Sequence, residues 1–204
     1  MKIITILSLV LISFIIAACS ESSVDPASSV DNPNGSYRPL AIGNYWILVG
    51  ETQQGSNIVR DTVRYEILST VEIDGETWFE TGVNGSVSGP PMRWKNDTLF
   101  MYDSKSVPIL NENIKGGDTL NYYVYEDDDF STIDITMVEG TDMELTVNGI
   151  SYKNVALIKT TSTKIINGTT RVEEFIGYWA KGVGIIKSVN PYGTGSLLDY
   201  HIED

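Results

Sequence analysis

Cys19 is the only cysteine of the 204-residue chain, and it is the residue best suited to a defined chemistry. Its thiolate is a nucleophile, but a single cysteine cannot form an intramolecular disulfide or a multi-cysteine metal site. A lone cysteine is otherwise either a small buried apolar residue or a candidate catalytic nucleophile. The residues around Cys19 must therefore decide which chemistry it performs.

Catalysis by another nucleophile would need a neighbouring base. The only histidine, His201, lies in the final predicted strand, where alternation places it on the face of Asp199, opposite Tyr200. We expect it to face solvent. No Gly-x-Ser-x-Gly elbow occurs, and Gly182-Val183-Gly184 lacks the rest of a phosphate-binding loop, so it is predicted to be a turn. The sequence predicts no catalytic residue and no cofactor.

Acidic residues leave two further possibilities. Paired carboxylates for glycoside hydrolysis need no sequence proximity, so the 27 acidic residues keep a hydrolase open without naming a pair. The densest run, Glu126–Asp129, offers hard oxygen ligands for Ca²⁺, but it lacks the alternating spacing and distal glutamate of a calcium loop. We expect a solvated acidic turn there and no metal site.

The segment before Cys19 has the features of an export signal. Lys2 gives a positive start, and Ile3–Ile16 is apolar except for one threonine and two serines. This stretch is shorter than the ~20 residues that a membrane-spanning helix needs. Its length is typical of the apolar region of a signal peptide.

The segment Ile16-Ala17-Ala18-Cys19 resembles the lipobox of bacterial lipoproteins, with Ile16 in place of the more frequent leucine. The resemblance implies that residues 1–18 are a signal peptide cut between Ala18 and Cys19, and that lipid is attached to the Cys19 thiol. Several acyl chains, at ~0.8 kcal/mol per buried CH₂, would then anchor the protein to a membrane. Ser20 permits sorting to the outer membrane, so we expect a lipid anchor in the bacterial cell envelope, facing the periplasm or the cell surface.

Composition divides the remainder into two parts. Residues 19–36 are rich in Ser, Asp, Asn and Pro, with no aromatic residue, which predicts a flexible tether after the lipidated Cys19. Residues 37–204 are predicted to be a single β-rich domain. The net charge is −13, without a basic cluster to offset it, which disfavours nucleic acid as a partner.

Short alternating segments indicate that the domain is all-β. Val63, Tyr65 and Ile67 fall on one face of a predicted strand. Four more predicted strands alternate in the same way: Leu120–Val124, Ile133–Met137, Met143–Val147 and Leu198–Ile202. The turn pairs Asp74-Gly75, Asn148-Gly149 and Asn167-Gly168 each separate two predicted strands, as expected for type I′ hairpins. The sequence therefore predicts an antiparallel meander forming a curved sheet, half-barrel or barrel. A β-sandwich is the alternative.

Two segments of the domain resemble uncharacterised β-rich lipoproteins of Bacteroidetes-like bacteria. These are Tyr37–Trp46, with its Pro-Leu-x-x-Gly-Asn-x-Trp pattern, and Gly177–Lys187, with its aromatic-Ala-x-Gly-Val-Gly pattern. The resemblance implies a β fold and an envelope address. It implies no activity and no binding residues.

The four tryptophans and eleven tyrosines are expected mainly in the core and in cross-strand pairs. They could also line a concave apolar surface able to hold a lipid, glycan or peptide. We therefore expect a non-enzymatic envelope lipoprotein that binds a small ligand or an envelope protein, at residues that the sequence does not name. The alternatives are a structural component of an envelope complex and, behind it, the carboxylate hydrolase.

Overall fold

The computed structural model describes residues 29–30, 32, 35–103, 105–126 and 130–203. Every regular element in this part of the chain is a strand. In chain order the strands are β1 (Ser29–Val30), β2 (Tyr45–Gln54), β3 (Asn57–Ile73), β4 (Glu76–Val83), β5 (Ser86–Val87), β6 (Met92–Lys95), β7 (Thr98–Asp103), β8 (Lys105–Asn111), β9 (Thr119–Glu126), β10 (Phe130–Val147), β11 (Ile150–Ile166), β12 (Thr169–Ala180), β13 (Gly184–Asn190) and β14 (Gly193–His201).

Twelve of these strands form one continuous path in the order β8-β7-β6-β4-β3-β2-β14-β13-β12-β11-β10-β9. Neighbours on the path are antiparallel, and the last strand, β14, pairs with β2 near the start of the domain. The sheet curves into a nearly closed barrel with one open seam, at the edge strands β8 and β9. The prediction of an antiparallel, curved or barrel-like meander is confirmed, and the sandwich alternative is wrong.

Two short strands lie off this path. β5 pairs with β4, and β1 pairs in parallel with β11. β1 belongs to the segment that was expected to be a flexible tether. Its two residues are therefore attached to the sheet, since Ser29 lies opposite Ser151 and Val30 opposite Tyr152.

The predicted turns connect the predicted strands. At Asp74-Gly75, Asn148-Gly149 and Asn167-Gly168 both residues have positive φ, which is the conformation that a type I′ turn requires. Asn96-Asp97 also has positive φ at both positions and joins β6 to β7. Local turn chemistry therefore accounts for much of the strand order.

Strand length and the end of β14 differ from expectation. The segments Ile133–Met137 and Met143–Val147, expected to be separate strands, belong to the single strand β10, which bulges at Gly140 and Met143. In β14, a register shift between Leu197 and Asp199 breaks the alternation. Leu197 is buried and Leu198 is 54% exposed, because the bulge turns Leu198 outward.

The buried side chains form two apolar clusters. The larger includes Trp46, Ile67, Tyr152, Val155 and Ile186, which come from four strands. Burial of this apolar surface is the main favourable term in folding. The smaller cluster joins the segment before β2 to the strands around the seam, and its buried members are Tyr37, Leu99, Leu110, Ile114, Val138 and Ala156.

Candidate functional site

The segments Tyr37–Trp46 and Gly177–Lys187 contact each other at one end of the barrel. The indole Nε1 of Trp46 donates a hydrogen bond to the carbonyl oxygen of Val183. Gly184 has a φ of +103° and lies so close to Trp46 that a Cβ there would be 3.0 Å from Nε1. The two sequence segments that resemble Bacteroidetes lipoproteins therefore form one structural unit.

Asn44 fixes this unit to the C-terminal end of the chain. Its side chain is fully buried, and its Nδ2 donates to the Pro39 carbonyl at 3.2 Å. Its Oδ1 accepts a hydrogen bond from the backbone N–H of Glu203 at 2.7 Å. Both polar ends of this buried amide have hydrogen-bond partners. The segment before β2 is therefore fixed relative to the residues that follow β14.

Arg38 is held within the same unit. Its guanidinium carbon lies 5.0 Å from the ring centroid of Trp46 and 5.7 Å from that of Trp179. Its backbone is fixed because Trp94 Nε1 donates to the Arg38 carbonyl at 2.8 Å. Its Nε is buried and has no hydrogen-bond acceptor among the described residues. No carboxylate of the described chain forms an ion pair with it, so the two indole faces are its main electrostatic partners there.

Burial lowers the pKa of Arg38 to about 10, while the nearby Tyr65 acts in the opposite direction. An arginine with that pKa remains a cation at neutral pH. A buried cation without an anionic partner is costly, since desolvation disfavours its charged form. Arg38 is therefore a partly exposed positive charge held against the rings of Trp46 and Trp179.

A cavity of about 350 Å³ shares Trp179 with this unit. Its walls come from β7 to β13 and are mostly apolar, and they include both edge strands of the seam. The residues that line it are Leu99, Ile109, Leu110, Leu120, Asn121, Thr136, Ile158, Thr160, Phe175, Ile176, Gly177, Trp179, Ile185, Ser188, Val189 and Asn190.

A row of small residues crosses four neighbouring strands on the cavity face. Gly50 of β2 lies opposite Gly195 of β14, which lies opposite Ser188 of β13, which in turn lies opposite Gly177 of β12. A second cavity, of about 260 Å³, is lined by Gly50, Gly195 and Ser188, and it shares Ser188 and Asn190 with the first. The absence of large side chains along the row is what leaves this space open.

On the inner face, the negative charge of Glu173 is balanced by two neighbouring cations. Its Oε2 pairs with Lys164 Nζ at 2.7 Å and its Oε1 with Arg171 at 2.8 Å, and Tyr192 donates its hydroxyl to Oε1 at 2.8 Å. The hydrogen bond from Lys164, followed by that from Tyr192, lowers the pKa of Glu173. Partly exposed side chains cover this carboxylate, so the cluster lies near solvent rather than deep in the core.

The predicted attachment and cleavage residues, Cys19 and Ala18, lie outside the described residues. His201 is on the surface, where its Nε2 lies 3.0 Å from Glu203 Oε1 and its ring stacks on Tyr45. Of the acidic run, Glu126 ends β9 and residues 127–129 are outside the described part. Within the described ranges, no group of three or more His, Cys, Asp or Glu residues is arranged to hold a metal ion.

The four tryptophans take different roles. Trp46 and Trp78 are buried, and Trp94 packs against the smaller cluster. Trp179 lines the apolar cavity, which fits the alternative in which aromatics form a concave surface. Arg38 was not predicted as a site residue, because a single arginine in a proline-containing segment shows no chemistry until Trp46 and Trp179 are brought to it.

No helix in the described ranges has the length and apolar character needed to cross a membrane.

No protein-family model matches the chain, and no curated protein matches its sequence. Two solved structures share the fold. One, from Bacteroides fragilis NCTC 9343, is named as an exported protein with a YmcC-like fold; its TM-score is 0.50, its identity 11%, and the match covers 82% of this chain and 99% of that one. The other, from Parabacteroides distasonis ATCC 8503, is named as a lipoprotein; its TM-score is 0.54, its identity 12%, and the coverage is again 82% and 99%. Neither name states an activity, and what this chain shares with both proteins is the fold.

Proposed function

We propose that the protein is a lipid-anchored lipoprotein of the bacterial cell envelope whose β domain binds a small apolar ligand, without catalysis. The observation that carries the proposal is the 350 Å³ apolar cavity on the inner side of a nearly closed sheet. Its volume lies near the lower end of the range of about 300–1,000 Å³ for small-molecule sites. A single acyl chain or a molecule of similar size suits it better than a lipid with several chains.

The lipid anchor is supported by the sequence around Cys19 and by the names of two proteins that share the fold. The lipobox-like Ile16–Cys19 segment implies lipidation, and the two proteins with this fold are named as exported and as a lipoprotein. An outer-membrane position follows from Ser20 after the cysteine and forms part of the proposal. The choice of binding over catalysis is supported by the sequence, in which the only histidine is His201.

Blocking the cavity tests the binding function. Thr160 faces the cavity, whereas the neighbouring Thr161 faces outward on the same strand. We expect the neutral fluorophore N-phenyl-1-naphthylamine to bind the wild-type domain and the Thr161→Trp variant, and to bind Thr160→Trp at least about tenfold more weakly. Equal binding by both variants, each with a native circular dichroism spectrum, would contradict the proposed site.

The anchor is tested in the full-length protein. We expect wild type to partition into the membrane fraction and to carry a mass increase from lipid at Cys19. Cys19→Ser should leave the membrane fraction and lose that mass increase. A Cys19→Ser protein that is still cut before residue 19 and still remains with the membrane would refute the anchor, while the cavity result would stand independently.

One observation supports the alternative of an assembly component. β9 is an edge strand, and its residues Tyr122, Tyr123 and Val124 are 62%, 49% and 49% exposed. An exposed edge can accept a strand from another protein. Crosslinking from residue 122 to one dominant envelope protein would favour this second function.

A further inference from the structure

We propose that the ligand of the cavity is a single-chain amphiphile with an anionic headgroup, and that Arg38 is the residue that binds its carboxylate. This inference rests on the proposed function and adds the chemical class of the ligand. Three observations support it: the buried Nε of Arg38 without an acceptor, the contact of its guanidinium with Trp179 at the cavity wall, and the row of small residues that joins the two cavities.

The guanidinium lacks the partner that such a group normally has. Its Nε is buried without an acceptor, and no carboxylate of the described residues pairs with it. The comparison with the other cations of the same inner face is informative, because Lys164 and Arg171 both pair with Glu173. Arg38 is thus a cation whose charge the described chain leaves without an anion.

Arg38 lies next to residues of both cavities without lining either. Trp179, whose ring it contacts, lines the larger cavity. Tyr65, which is close enough to influence its charge, lines the smaller one. Tyr65 also lies directly opposite Trp46 in the sheet register. The cation therefore lies beside the wall of the apolar cavity at Trp179, and we place the headgroup of a bound chain there.

The row Gly50–Gly195–Ser188–Gly177 provides continuity between the two spaces. Gly177 and Trp179 are two residues apart on one face of β12, and Trp179 occupies the volume above Gly177, since a Cβ at Gly177 would be 2.6 Å from Trp179 Nε1. That Nε1 is a second N–H donor close to the same place. A carboxylate accepts hydrogen bonds from both guanidinium and indole groups, whereas an alcohol offers no charge to the cation.

The test compares dodecanoate, 1-dodecanol and acetate as competitors of N-phenyl-1-naphthylamine. We expect dodecanoate to displace the fluorophore from wild type at a concentration at least about tenfold below that of 1-dodecanol, which corresponds to a charge-assisted hydrogen bond. Acetate should not displace it, because the site needs the chain as well as the charge. In Arg38→Gln, dodecanoate and 1-dodecanol should displace it equally, while Arg64→Gln, which removes an outer cation, should behave as wild type.

The possible outcomes separate this inference from the proposed function. If the fluorophore binds but wild type does not distinguish dodecanoate from 1-dodecanol, the anionic headgroup is refuted and the apolar site stands. If none of the apolar compounds binds, both proposals fail. The wild-type preference does not depend on a variant, so the inference can be refuted even if Arg38→Gln does not fold. Arg38→Lys, which keeps the charge, is expected to restore part of the preference.

Discussion

Glu173 of β12 and Arg38 of the segment before β2 carry opposite charges, and their surroundings differ. Glu173 is surrounded by two cations and a hydroxyl donor, so its charge is compensated within the fold. Arg38 contacts the faces of two indoles. A compensated carboxylate stabilises the folded chain, whereas a cation without an anion gains most when an anion arrives.

The compensation of Glu173 predicts how stability changes with pH. Because the pKa of Glu173 is lowered on folding, mainly by the hydrogen bond from Lys164, its contribution to stability is present above the ordinary pKa of 4.5 and is lost as pH falls through the lower folded pKa. We expect Glu173→Gln to lower the melting temperature at pH 7 and to flatten its fall below pH 4.5. Thermal melts between pH 2 and pH 7 measure both effects.

Glu174→Gln is the matched control for this prediction. Glu174 is the next residue on the same strand, faces outward and pairs with Lys159 at 3.1 Å with more than half of its side chain exposed. An exposed ion pair of this kind contributes little to stability. Two results would show that burial at the inner face does not govern the acid dependence of stability. One is a smaller fall of the melting temperature below pH 4.5 in Glu174→Gln, and the other is an unchanged fall in Glu173→Gln.

The residue scale also shows what could be predicted from sequence. Cys19 could be assigned a chemistry because its signal is local, within a few residues of chain. The pairing of Lys164 with Glu173 was within reach, because a two-residue turn at Asn167-Gly168 places them on one face of neighbouring strands. The contacts of Arg38 could not be predicted, because Trp46 and Trp179 are brought together only by the pairing of the whole sheet.

At the scale of the elements, two Asn-Gly turns differ in the number of strands that they connect. Asn148 and Asn167 have φ of +49° and +48°, and each is followed by glycine. Asn148 also donates its Nδ2 to the Leu197 carbonyl at 2.7 Å, which joins the β10–β11 turn to β14. Among the described residues, Asn167 has only the local role of completing the β11–β12 hairpin.

Alanine at these two turns separates the contributions. We expect Asn167→Ala to destabilise the domain by about 1 kcal/mol, because alanine lacks the short polar side chain that lets asparagine adopt the left-handed conformation. Asn148→Ala should cost about 1 kcal/mol more, because it also removes a hydrogen bond to β14. Urea denaturation followed by tryptophan fluorescence measures both values. Equal losses in the two variants would mean that the bond to Leu197 contributes nothing.

Turn chemistry made the hairpins predictable, but strand irregularities were not. A bulge at Gly140 and Met143 lets β10 run through a place where the pattern suggested a break. Asp142, with a φ of +56°, lies within that irregular stretch. Such bulges depend on the curvature of the whole sheet, so the alternation of apolar residues alone does not predict them.

For the whole molecule, closure of the sheet depends on one long-range pairing, between β14 and β2. Sequence could predict consecutive hairpins, and with them a curved sheet, a half-barrel or a barrel. The pairing that selects among these joins residues about 150 positions apart, and no local pattern specifies it. The cavity is a consequence of this closure, which is why the sequence predicted the type of surface but named no residue in it.

Alkaline pH tests both halves of the core at once, because each apolar cluster contains one buried tyrosine. Burial raises the pKa of Tyr152 in the larger cluster to about 12, and burial, helped by Asp142 and Glu112, raises the pKa of Tyr37 in the smaller cluster to about 12. The unfolded chain releases these protons near pH 10, so the stability they contribute is complete below pH 10 and is lost as pH rises toward 12. We expect the midpoint of urea unfolding to fall across this interval.

Single replacements assign that fall to the two tyrosines. Tyr37→Phe and Tyr152→Phe should each make the alkaline decline shallower, because phenylalanine has no proton to release, and Tyr122→Phe, at a position that is 62% exposed, should leave it as in wild type. Burial lowers the pKa of Arg38 to about 10 and acts in the opposite direction, but this contribution is common to all four proteins and cancels in the comparison. If Tyr37→Phe alone changes the decline, the smaller cluster opens at high pH independently of the larger one, and the barrel does not unfold as one cooperative unit.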